Sequence, residues 1–106
     1  MDSLGTKRVT QRGFSVIEFT DRNGLHCSIQ ESSSDTPSIW LGINDAEPKI
    51  MAIHAPLHNI KTNETVGWVP YPIPDEVLLH TRMHLNVEQV KALISTLQFW
   101  IATDRL

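Results

Sequence analysis

Cysteine is almost missing from this chain: Cys27 stands alone in 106 residues. A single cysteine excludes an internal disulfide and suits a reducing compartment. Long apolar runs are missing as well. The opening Met1-Asp2-Ser3-Leu4-Gly5-Thr6-Lys7-Arg8 has no apolar signal core, and no stretch approaches the length that crosses a bilayer. The expectation is a soluble, cytoplasmic protein with no membrane partner. Basic residues do not dominate either. A net charge of -3 argues against a protein that coats DNA generally, although a local basic patch is compatible with it. No internal repeat is visible, and the only low-complexity tract is Ser32-Ser33-Ser34.

Several chemistries lack their residues. There is no glycine loop of the phosphate-cradling type and no His-Glu-x-x-His pattern. Two His-x-x-x-His spacings exist, His54/His58 and His80/His84. That spacing suits zinc on a helix. Pro56 interrupts the first pair, and the second reads as strand, where four residues span ~13 Å. No metal site and no cofactor are expected. Cys27 alternates onto the buried side of its strand, where a thiol is usually inert. Asp75 and Glu76 are adjacent acids in a proline-rich stretch, the setting of solvated carboxylates. The expectation is a protein without enzymatic activity.

What is present is a legible order of elements in a single small domain of 106 residues. Residues 1–12 are polar and read as a loosely docked terminus. Phe14 to Thr20 and Leu25 to Gln30 alternate around Asp21-Arg22-Asn23-Gly24, which predicts a β-hairpin. Ile39-Trp40-Leu41-Gly42-Ile43 predicts a third strand with Trp40 turned away from the inward Ile39, Leu41 and Ile43. Residues 45–76 read as a long insertion loop rich in proline and aromatics, with Pro70, Pro72 and Pro74 at every second position. Val77 to Leu85 predicts a fourth strand. It runs into a helix capped by Asn86, with Gln89 completing a capping box and Leu85/Val90 at the spacing of a hydrophobic staple. Val90, Leu93, Ile94, Leu97 and Ile101 then form one apolar stripe, with Trp100 at its edge and Phe99 nearly opposite. The predicted fold is α+β: a small antiparallel-rich sheet of about four strands, β-β-β-long loop-β-α, with the C-terminal helix packed on one face.

A helix on one face leaves the other to His26, Ser28, Gln30, Trp40, His80, Arg82 and His84. A guanidinium with imidazoles and a tryptophan is the composition of a phosphate- and base-binding platform. It is equally that of a solvated sheet face or of a polar contact with a protein partner. Strand pairing decides which of these residues adjoin, and spacing alone leaves it open. Trp68 and Tyr71 in the insertion, Trp40, and Phe99 on the outer side of the helix are the aromatic candidates for a protein contact, including a homo-oligomer.

In Ile39-Trp40-Leu41-Gly42-Ile43, Gly67-Trp68-Val69-Pro70-Tyr71-Pro72 and Arg82-Met83-His84-Leu85-Asn86-x-Glu88-Gln89-Val90 the chain resembles a family of small uncharacterised proteins encoded by tailed phages and prophages. The similarity extends through Gly13-Phe14-Ser15, Gln30 to Ser33 and Asp45 to Lys49, and covers most of residues 12–104. Shorter members lack much of the segment between the third and fourth strands, which would make 45–79 an elaboration on a compact core. Here Thr103-Asp104 stands where the resemblance implies a threonine-glycine ending, so the helix stop differs. Small, acidic, non-enzymatic phage proteins often act by binding. The resemblance therefore implies a protein of the host-cell cytoplasm that interferes with a host defence or regulatory component, by contact with a host protein. The alternative is a module that sequesters a nucleotide, cyclic nucleotide or single-stranded nucleic acid through Arg82, His80, His84, His26 and Trp40.

Overall fold

The computed structural model describes residues 3–106. The chain folds as two compact units: one runs up to Asn44 and resumes as Thr81–Leu106, and the other is Asp45–His80.

The first unit is a mostly antiparallel sheet with one C-terminal helix, an α+β fold. Its strands are β1 (Thr6–Val9), β2 (Ser15–Thr20), β3 (His26–Glu31), β4 (Ser38–Ile43) and β7 (Arg82–Asn86), in that spatial order. The β2–β3 hairpin forms where the sequence places it. Asp21 Oδ1 accepts from the amides of Asn23 at 2.8 Å and Leu25 at 2.9 Å, and Gly24 takes a φ of 88° that few other residues tolerate. Every strand is paired in register with its neighbour, so side chains sort cleanly onto two faces. Ile17, Ile29, Leu41 and Met83 lie opposite one another on one face; Val16, Gln30, Trp40 and His84 do so on the other.

Two expectations are corrected here. Residues 6–9 are not a loose terminus but an edge strand paired with β2. Thr6, Lys7, Arg8 and Val9 are all exposed, and charge is what an edge strand uses against further pairing. The last strand of the sheet, in turn, does not begin at Val77. It begins at Arg82, opposite Gly42; β4 ends one residue later at Ile43, so nothing on β4 lies opposite Val77 to His80. Val77 to His80 alternates in sequence, yet Val77 donates to Pro74 O at 3.0 Å in a turn.

α1 (Val87–Thr103) has the cap that the sequence predicts: Gln89 N donates to Asn86 Oδ1 at 2.9 Å, and Asn86 N to Gln89 Oε1 at 3.0 Å. Leu85 and Val90 line the same apolar cleft with Ile39 and Val87. The helix is present as predicted, but it meets the sheet at this end only and does not lie packed along one face, because no connecting residue turns it back. Val90 and Leu93 are half-buried, and every other helical residue is exposed. At its far end Asp104 adopts a left-handed conformation, φ 59°, with its amide 2.7 Å from Trp100 O. Glycine is the residue this position favours.

The second unit is more than a loop. β5 (Lys49–Met51) and β6 (Trp68–Pro70) pair antiparallel, and a 3-10 helix, Ala52–His58, follows β5. Ala52, Ala55 and Val69 are buried together, with Ile50 and Ile60 against them. A structureless stretch of this length is rare in a folded chain, and the paired strands and small apolar cluster are why this one is ordered. Among the described residues, no helix is long and apolar enough to cross a membrane.

Candidate functional site

The polar face of the five-stranded sheet is built in rows, one residue from each strand. One row is Arg8, Val16, Gln30, Trp40 and His84; the next is Thr6, Glu18, Ser28, Gly42 and Arg82. Gly42 is the device that makes the second row work. A Cβ built there would stand 2.6 Å from Thr81 O and 2.9 Å from Arg82 Cα. These are backbone atoms, so glycine is what lets the two backbones approach here; from β7 the Arg82 side chain reaches across β4 to β3. Its Nη1 donates to Gln30 Oε1 at 2.8 Å and to Ser28 Oγ at 3.4 Å. Ser28 is buried, and its hydroxyl donates to Asn44 Oδ1 at 2.6 Å.

One row along, Trp40 and His84 are cross-strand partners and stack face to face, with ring centroids 3.9 Å apart and planes 8° from parallel. His84 Nε2 lies 2.8 Å from Ser32 Oγ, and Arg82 Cζ lies 5.7 Å from the Trp40 ring centroid. The rings, the guanidinium and the amide hold one another in place. The arrangement is therefore ordered by contacts within the protein itself. Arg82 uses one of its nitrogens here, and the rest of its five-donor fork is free of protein partners among the described residues.

Beside the stack lies an open cleft of about 370 Å³, lined by Arg8, Arg12, Phe14, Gln30 and Trp40 among others. Arg8 pairs with Glu18 at 3.0 Å across the β1–β2 edge, and the Arg12 guanidinium sits 5.5 Å from the centroid of the Phe14 ring. Sequence reasoning missed Arg8 and Arg12, because both fall in the segment read as loose. The signal available was Arg8 preceding the Gly13 turn at the spacing of a hairpin arm. Glu31, at the end of β3, accepts from Ser15 N at 2.6 Å. The Ser15 hydroxyl, then the Ser15 amide, and more weakly the charge of Lys7 hold its carboxyl below the ordinary carboxylate range.

Of the residues singled out in the sequence, Trp40, Arg82 and His84 come together on this face, and His26 lies on it one row beyond Ser28. His80 does not join them, since it belongs to the Asp45–His80 unit and lies outside any strand. Trp68 and Tyr71 also belong to that unit. Trp68 is exposed on β6, while Tyr71 makes an edge contact with His58 at 5.6 Å between centroids. Phe99 is exposed on α1. His54 and His58 lie in the 3-10 helix, where three residues complete a turn, so a separation of four turns the two side chains about 120° apart rather than onto one face. Among the described residues, no three His, Cys, Asp or Glu side chains converge to hold a metal ion.

Ser32 and His84 have the spacing of a nucleophile and its base. A working dyad also needs a group that orients the imidazole, and no carboxylate is hydrogen-bonded to His84 Nδ1 among the described residues; Trp40 fixes the ring by stacking instead. The face presents a planar aromatic surface, a cationic fork and amide and hydroxyl groups. Comparison with family models, with curated proteins and with solved structures finds no match.

Proposed function

We propose that this chain is a non-enzymatic binding protein of the small phage-encoded kind it resembles, and that it acts by sequestering an anionic ligand with a planar base. The observation that carries the reading is the preformed Trp40–His84 stack with Arg82 beside it; Trp40 also lines a cleft with Arg12, Phe14, the Glu18-paired Arg8 and the Glu31 carboxylate. A base stacked on an aromatic ring is stabilised by about 1–3 kcal/mol. A phosphate oxygen pair matches the planar fork of arginine better than any other side chain. The net charge of -3 favours a short ligand over a long polyanion, because each added phosphate meets the repulsion of the whole chain. A mono- or dinucleotide, or a few unpaired bases, suits that balance. Sequestering such a signal is one way for a phage protein to blunt a host defence or regulatory pathway.

A thermal-shift screen tests this with nucleoside monophosphates, cyclic dinucleotides and short single strands. The expected outcome is stabilisation by at least one of the first two classes, weakening as salt is raised from low to physiological strength. No stabilisation by any probe would sink the proposal.

One observation favours a second reading, contact with a host protein. Trp68 is 66% exposed on β6, and tryptophan is among the residues most enriched at interface hot spots. In that case pull-down from host lysate recovers a partner that the Trp68→Ala variant loses, while nucleotide probes have no effect.

A further inference from the structure

The apolar face of the sheet and the apolar stripe of α1 belong to the same unit, yet beyond Val90 and Leu93 the stripe leaves the sheet uncovered: Ile17, Ile29 and Leu41 are half-buried and Met83 is exposed. α1 begins at Val87, and Asn86 is at once the last residue of β7 and the helix cap. No connecting residue lies between them. Returning a helix across its own sheet takes a loop of about 2–6 residues. With none, the helix carries on past the end of the strand. Leu97, Trp100 and Ile101 are 45%, 50% and 74% exposed, and Met83 on the sheet is 54% exposed. In the whole of this unit the buried apolar side chains among the described residues are Val16 and Cys27.

The surface area shows how much is left open. The chain exposes 8997 Å². Two compact globules of the sizes of its two units, counted separately, would expose only about 7,000 Å² together. The surplus is roughly 2,000 Å², whereas a standard interface takes ~800 Å² from each partner and an obligate one more. Part of it lies on α1, where Ile94, Leu97, Trp100 and Ile101 are each 45% exposed or more.

We infer that the chain is a two-fold dimer in which the α1 stripe of each copy lies across the apolar sheet face of the other. The dimensions agree. A helix of 17 residues is about 25 Å long, and five strands about 4.8 Å apart make a sheet of about 20 Å. Each chain supplies both halves of the contact, so one two-fold axis satisfies both and closes the assembly. The polar faces bearing Arg82 stay outward, so the dimer stands or falls independently of the ligand reading.

The test is the mass of the full chain in solution by light scattering at micromolar concentration. The expected result is the mass of two chains. In the Leu97→Asp/Ile101→Asp variant the expected mass at the same concentration is that of one chain. Phe99→Asp, on the opposite side of the helix, keeps the mass of two. A second measurement guards against a variant that fails to fold. In a Cys27→Ala background, chains carrying Leu97→Cys are mixed and re-equilibrated with differently tagged chains carrying Met83→Cys, then treated with a short bismaleimide. The geometry predicts cross-links between the two tags. A wild-type monomer, a dimer insensitive to the stripe substitutions, or no cross-link between the tags would each overturn the inference.

Discussion

Gly42 governs more of the candidate site than any side chain in it. Its missing Cβ is what lets the β4 and β7 backbones approach where Arg82 leaves β7 for Gln30. Gly42→Ala would force backbone apart at the β4–β7 ladder, and overpacking of this kind costs about 1–3 kcal/mol. Urea unfolding should show a loss in that range, and the rearranged Arg82 should weaken any binding found in the nucleotide screen. The sequence offered no sign of this: a glycine between Leu41 and Ile43 looks like a weak point in a strand until its register with Arg82 is known. Glu31 gives a second residue-scale expectation. Its carboxyl is held below the ordinary range by Ser15, so its contribution to stability is present above the unfolded-state pKa and is lost as pH falls through the lower folded-state value. The stability difference between the wild type and Glu31→Gln should therefore shrink on acidification below the ordinary carboxylate range. A difference that grows instead would show that the Ser15 contact does not favour the charged form.

Among the elements, those whose signals are local were legible and those that depend on a partner were not. The β2–β3 hairpin, the alternation of β3 and β4 and the Asn86 cap are each specified within a few residues, and the structure has all of them. β1 escaped notice because an edge strand needs no apolar alternation. Val77 to His80 was misread for the opposite reason: its alternation is good, but β4 is too short to pair with it. His80 left the candidate site with that error. The helix stop is the element with a clear remedy. Asp104 is an acidic residue in a left-handed conformation at a helix C-terminus, disfavoured by both sterics and the helix dipole. Asp104→Gly should stabilise the chain by about 1 kcal/mol, read as a higher midpoint in thermal melts.

For the molecule as a whole, the alternation of its strands already separates two surfaces with different work. In the proposed dimer the apolar face and the α1 stripe meet across a two-fold axis, while the polar face carries the groups proposed to recognise a ligand. What alternation does not give is the pairing that puts Trp40 against His84 and Arg82 within reach of Gln30. That juxtaposition is the core of the functional proposal. Calorimetric titration of wild type and Arg82→Ala with the best probe from the nucleotide screen tests it most directly. A hydrogen bond to a charged group contributes about 1.5–3 kcal/mol, so Arg82→Ala should weaken binding by roughly 10- to 100-fold with the fold intact. Equal affinity in the two proteins would contradict the account.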